Sequence, residues 1–176
     1  MINLLRWPVV MKILSILFTL LLVSACVISQ NKTIILVRHA EKAGDAEMNK
    51  TGDPELSPEG QERAKRLMKI AKRYKPHEIF ATAYKRTQQT VAPIAALRQK
   101  NVQIYDTREQ RKLVEQIMSS KTEHYLIAGH SNSIPDLANL LMKKEVFKQV
   151  PDTEYGVIWV VKIRHGVLKR VEVYEY

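Results

Sequence analysis

One cysteine in 176 residues, Cys26, excludes an intrachain disulfide. No apolar run reaches the roughly 20 residues that span a bilayer as a helix. The stretch from Ile13 to Val23 has eleven residues and includes Ser15 and Thr19. Acids are in deficit: 18 Asp and Glu stand against 28 Lys and Arg, a formal charge of +10. That balance favours anionic partners such as phosphate esters, acidic lipid or nucleic acid. Nucleic acid is disfavoured, because neither aromatic-basic interleaving nor a recognition motif is present. Clustered metal-ligand spacing, internal repeats and low-complexity tracts are also missing. What remains is an ordinary globular mixture, 45% hydrophobic and 26% charged, of a length suited to one domain.

The apolar stretch follows Lys12 and ends in Leu22-Val23-Ser24-Ala25-Cys26. Basic flank, short apolar core and small-residue site together read as a secretory signal. The ending resembles a bacterial lipobox, in which the cysteine thiol receives diacylglycerol. Residues 1–25 are therefore expected to be a signal peptide, Cys26 the lipidated residue, and residues 26–32 a tether to a domain at 33–176. The competing reading is an uncleaved N-terminal anchor, and translation could start at Met1 or at Met11. Two or more acyl chains would hold the protein stably to a membrane. Val27 in place of aspartate would suggest outer-membrane sorting in a Gram-negative host. Loss of residues 1–25 removes Arg6 and Lys12 but no acid, and leaves +8.

Thr33 to Val37 is a β-branched run, the pattern of a strand buried on both faces. A polar loop from Glu41 to Glu55 follows. Ser57-Pro58-Glu59 reads as N-cap, first-turn proline and an acid at the positive dipole end. Ala64, Leu67, Met68 and Ala71 then give helical spacing to about Tyr74, with Lys65, Arg66, Lys69, Lys72 and Arg73 on the solvated face. Further strands are expected at Glu78–Ala81, Val102–Tyr105 and His124–Ala128. Helices are expected from Lys85, with Pro93 kinking or restarting it, from Glu109 to Ser119, and from Ile134 or Pro135 to Lys143. A hairpin from Val157 to Tyr174 closes the chain around His165-Gly166. Alternating strands and helices indicate a three-layer α/β/α sandwich with a mostly parallel central sheet. Ligands in such folds collect beyond the carboxyl ends of the strands.

Three such ends carry chemistry: Arg38-His39, the segment Thr82 to Arg86, and Gly129-His130. Two arginines suit the oxygens of a phosphate monoester. A neutral imidazole is a competent nucleophile toward phosphorus when its other nitrogen is held as a donor. A second, protonated histidine would stabilise the transferring group. His77, His124 and His165 are read as structural.

Four ordered blocks, Leu36 to Lys42, Leu56 to Gly60, Ala81 to Thr90 and Ala128 to Asn132, together resemble the histidine phosphatase, or phosphoglycerate mutase-like, superfamily. The resemblance covers nearly all of residues 33–176. It implies a phosphohistidine formed on His39, with Arg38, Arg86, His130, Ser131 and Asn132 around the phosphoryl group. It implies no metal and no cofactor. Where the family often has glycine after Arg-His, this chain has Ala40, which is tolerable if the backbone there is not left-handed. The general acid has no clear match. Asp106, Glu109 and Glu41 are candidates, with Asp106 preferred because strand ends face the site.

Only 44 positions separate Arg86 from His130, too few for the capping insertion of mutases. An open site suits hydrolysis, because water must reach the phosphoenzyme. The size resembles the small phosphohistidine-protein phosphatases, and the export signal resembles that of periplasmic lipopolysaccharide-core heptose phosphatases. The expected function is therefore a membrane-anchored phosphomonoester hydrolase of the cell envelope, acting on a small molecule, a glycolipid or a phosphoprotein. The alternative is a catalytically silent phosphate- or glycan-binding lipoprotein of the same fold.

Overall fold

The computed structural model describes residues 31–44 and 52–176. The signal segment, Cys26 and most of the tether lie outside the described residues, as does part of the polar loop. Strand β1 spans Lys32–Arg38, β2 Glu78–Ala81, β3 Val102–Ile104, β4 His124–Gly129, β5 Val157–Arg164 and β6 Val167–Glu175. Helix α1 spans Pro58–Ala71, α2 Lys85–Arg98, α3 Gln110–Ser119 and α4 Ser133–Met142. One sheet holds all six strands in the order β3-β2-β4-β1-β5-β6. The first four are parallel, and β5 and β6 are antiparallel additions.

The β-branched run of β1 alternates between two cores. Ile34 and Leu36 pack with Phe80, Tyr125, Ile127 and Trp159, and with Leu113, Ile117, Ile134 and Leu137 from α3 and α4. Ile35 and Val37 pack on the opposite face with Leu126, Ile158 and Val160, and with Leu67, Val91 and Ile94 from α1 and α2. A strand with apolar side chains on both faces can sit only between two helical layers. The three-layer α/β/α sandwich expected from the sequence is the observed one.

Local signals explain most boundaries. Ser57 Oγ accepts from the Gly60 amide at 3.1 Å, and Pro58 opens α1. Lys65, Arg66 and Lys69 of α1 are exposed. Two expectations need correction. Lys32 is not tether: it is the first residue of β1, 1% exposed, and its ammonium donates to the carbonyls of Ser120 and Thr122. Of the two outcomes expected at Pro93, a kink or a restart, the restart does not occur: α2 runs as one helix to Arg98. Burial of Thr90, Val91, Ile94 and Ala95 on either side of the proline holds the helix against the sheet through the lost hydrogen bond.

Candidate active site

Register places the two histidines. Strands β1 and β4 pair in parallel with Arg38 opposite Gly129, so the next residues, His39 and His130, leave the sheet side by side. Their ring centroids are 5.4 Å apart. The pairing of Ala81 with Ala128 brings Thr82 from β2 next to His130 in the same way. Gly129 is required here, since a Cβ would lie 2.7 Å from the Tyr105 hydroxyl and 2.8 Å from Ser133 Oγ.

His39 is 5% exposed. Its amide donates to the Gly129 carbonyl at 2.9 Å, and its Nδ1 lies 2.8 Å from the Ala40 carbonyl. A carbonyl only accepts, so Nδ1 carries the proton and Nε2 keeps its lone pair. Burial, ahead of the nearby Arg86, His130 and Arg38, pulls the His39 pKa down to about 3 even against that carbonyl contact. The imidazole is thus neutral at physiological pH. Thr90 of α2 fixes the segment: its Oγ1 accepts from the Ala40 amide at 2.9 Å and donates to the Arg86 carbonyl at 2.7 Å. Ala40 is fully buried beside Leu56 and Ala64, and its backbone is not left-handed, so its methyl is accommodated.

His130 is ordered by a chain of hydroxyls. Thr87 Oγ1 donates to the Tyr84 carbonyl at 2.7 Å, so toward Thr82 Oγ1, 2.8 Å away, it can only accept. Thr82 spends its own hydrogen on Thr87 and accepts from His130 Nε2 at 3.1 Å. The His130 proton is therefore on Nε2. Burial first, then Arg86 and Arg38, lower its pKa to about 4. The sequence expectation of a protonated second histidine concerns the site with its phosphoryl group bound. Without an anion His130 is neutral, because burial, and after it two guanidinium groups, oppose a further positive charge; a bound phosphate works against both.

A cavity of about 250 Å³ lies over these residues. Arg38, His39, Arg86, His130 and Ser131 line it, as the sequence led one to expect, together with Lys42, Asp152 and Tyr155. The two arginines differ. Arg38 donates to three backbone carbonyls of the segment before β5, Pro151 and Glu154 through Nη1 and Asp152 through Nη2, at 2.6 to 3.0 Å. Arg86 has Nε and Nη1 buried without a hydrogen-bond partner, although Nη1 lies 3.6 Å from Asp53 Oδ1. Each guanidinium stacks on a tyrosine at 4.2 Å, Arg38 on Tyr155 and Arg86 on Tyr84.

Other candidates fall elsewhere. Asn132 is exposed and caps α4, its Oδ1 accepting from the Ser133 amide at 2.8 Å. Asp106 lies beyond the edge strand β3, outside the cavity lining, with its carboxylate on Arg108 Nε and Nη2. That partner holds its pKa down at about 2, so it carries no proton to donate near neutrality. Glu109 pairs with Lys112. Glu41 accepts from Arg63 Nε at 2.8 and 2.9 Å; burial pushes its pKa up, but Arg63 outweighs that and holds it low. None of the three carboxylates reaches the cavity. Lys42, Thr82, Thr87 and Thr90 lay inside the recognised blocks without an assigned role. Asp152 and Tyr155 come from a connection with no motif to mark them.

Comparison with known proteins agrees. Residues 34–111 match the sequence model of the histidine phosphatase superfamily (branch 1). No curated protein matches the chain. Among solved structures, a mycobacterial glucosyl-3-phosphoglycerate phosphatase is similar, with TM-score 0.61 and 10% identity over 84% of this chain and 99% of that one. A protein of Agrobacterium tumefaciens assigned as the phosphohistidine phosphatase SixA gives 0.60 and 17%, over 80% and 97%. An Escherichia coli protein assigned as an α-ribazole-5'-phosphate phosphatase gives 0.63 and 14%, over 82% and 96%. Identities this low show a shared fold. The sandwich is the fold that these phosphatase structures share. The first half of the domain thus resembles the histidine phosphatase superfamily in sequence, and the whole of it shares a fold with these phosphatase structures.

Proposed function

We propose that this protein hydrolyses phosphomonoesters, without a metal, through a phosphohistidine on Nε2 of His39. The observation that carries the reading is the state of His39. It is buried and neutral, with Nδ1 engaged by the Ala40 carbonyl and Nε2 free to attack, in a cavity lined by Arg38 and Arg86. Such cations stabilise charge on the transferring oxygens, and the buried nitrogens of Arg86 favour an anion beside them. On arrival of a phosphate, His130 takes up a proton and adds a third donor group.

The segment Lys12 to Cys26 supports an exported lipoprotein facing the periplasm, anchored by acyl chains on Cys26. No helix among the described residues is long and apolar enough to cross a membrane. The neighbours' names cover a phosphorylated sugar acid, a ribazole phosphate and phosphohistidine. What these share is the phosphoryl group, so the substrate reading is a phosphomonoester of a small molecule, a glycolipid or a protein.

The test follows phosphate release from an aryl phosphate by the full chain in EDTA, beside His39→Ala. Turnover in the wild type, lost by more than about 10³-fold in the variant, is expected, together with acid-labile phosphate trapped on His39. Activity that survives His39→Ala would sink the phosphohistidine reading. Phosphate binding without turnover on any ester would favour the silent binding protein.

A further inference from the structure

We infer that Asp152 is the proton donor and acceptor of this site, the residue that the sequence does not reveal. The inference rests on the phosphohistidine reading above. Among the described residues that line the cavity, Asp152 is the one carboxylate. Ser131 Oγ donates to its Oδ1 at 3.1 Å, and Arg38 Nη2 stands 3.6 Å away. The same guanidinium grips the backbone carbonyls on either side of it, and the Val150 amide donates to the Ser131 carbonyl at 2.9 Å. The carboxylate is thus carried on a segment pinned to both strand-end motifs.

Its depth in the cavity matters as much as its partners. His39 is 5% exposed and forms the floor, whereas the Asp152 side chain is 82% exposed and stands at the mouth. Phosphoryl transfer runs in line, with nucleophile and leaving oxygen on opposite sides of phosphorus. A nucleophile on the floor therefore expels its leaving group toward the mouth, where Asp152 stands.

The two half-reactions then balance. The monoester enters as its monoanion. The Nε2 lone pair of His39 forms the nitrogen–phosphorus bond as the ester oxygen–phosphorus bond breaks, and the phosphoryl proton passes through the Asp152 carboxylate to the leaving oxygen. Water enters by the mouth that the alcohol has left. It attacks phosphorus as one of its protons passes through Asp152 to a phosphate oxygen, and the phosphorus–nitrogen electron pair returns to Nε2. His39 and the Asp152 carboxylate regain their starting states.

A carboxylate needed to protonate the leaving oxygen matters most when that oxygen is strongly basic. Asp152→Asn keeps the acceptor for Ser131 and the volume of the side chain but cannot exchange a proton. The full chain, wild type, Asp152→Asn and His39→Ala, is assayed on nitrophenyl, phenyl and alkyl phosphates, with thermal unfolding as the control for folding. The expected loss in Asp152→Asn grows along that series, from under about tenfold on nitrophenyl phosphate to ~10²–10⁴-fold on the alkyl ester. An equal loss on all three esters, or no loss on the alkyl ester, overturns the assignment while His39→Ala still supports the phosphohistidine. Activity that survives His39→Ala overturns both.

Discussion

The two walls of the cavity use the same residue type in opposite ways. On the β1 wall, Arg38 gives both terminal nitrogens to carbonyls of the segment before β5 and stacks on Tyr155, which leaves only its Nε without a partner. On the α2 wall, Arg86 stacks on Tyr84 and keeps two buried nitrogens without hydrogen-bond partners. A buried donor left unpaired costs stability, while one already paired contributes it. One arginine therefore builds the cavity and the other waits for an anion. A pair of arginines at two strand ends invites the simpler view of two equivalent phosphate clamps, and the structure divides their labour.

Substitution of each arginine tests that division most sharply. Arg86→Ala is expected to lower kcat/KM by ~10²–10³-fold, as removal of a transition-state donor does, with a change in unfolding free energy below about 1 kcal/mol. Arg38→Ala is expected to destabilise the fold by about 3 kcal/mol, because three carbonyls lose a charged donor at once. Urea unfolding beside steady-state kinetics reads both. If Arg86→Ala costs more stability than Arg38→Ala, the contrast between the walls is wrong.

A smaller effect belongs to the hydroxyl chain on the α2 side. Thr82→Val keeps the shape but removes the acceptor for His130 Nε2. One hydrogen bond to a group that becomes charged is worth ~1.5–3 kcal/mol, so kcat/KM should fall by ~10–100-fold. Nitrogen NMR of His130 should then show the fixed Nε2–H tautomer give way to a mixture. An unchanged tautomer would mean that something other than Thr82 orders the ring.

The mildest expectation concerns pH. His39 and His130 have pKa values near 3 and 4, below the ordinary 6.5, with burial as the leading cause. The unfolded chain therefore binds more protons than the folded one between those values and 6.5. Their contribution to stability is present in full above 6.5 and is lost as pH falls through 4 and 3. Thermal unfolding midpoints from pH 7 to pH 4 should decline, and His39→Ala should flatten the decline. Inorganic phosphate should raise the midpoint most where His130 can be protonated beside it. A midpoint insensitive to pH in this range would contradict the burial argument.

Much of this was legible in the sequence. The alternation of strands and helices gave the sandwich, since a β-branched run such as Thr33–Val37 has no stable place except between two layers. Arg38, His39, Arg86 and His130 stood at strand ends, where ligands gather. Sequence adjacency to a strand was a poorer guide for Asp106: β3 is the sheet edge, so the residue after it points to Arg108 in solvent. Asn132 was misread because short polar side chains serve equally as caps and as ligands.

The sequence by itself determined the layers, the parallel core and the strand-end position of His39, because periodicity and strand-end position are local properties. Tertiary structure alone decided the rest. The register of β1 on β4 set the two rings 5.4 Å apart, and the hydroxyls of Thr82 and Thr87 selected the His130 tautomer. The segment before β5 brought Asp152 to the mouth, 113 positions beyond His39. Protonation states, hydrogen-bond partners and the division between the arginines depend on what lies across the cavity. Linear spacing carries no record of that.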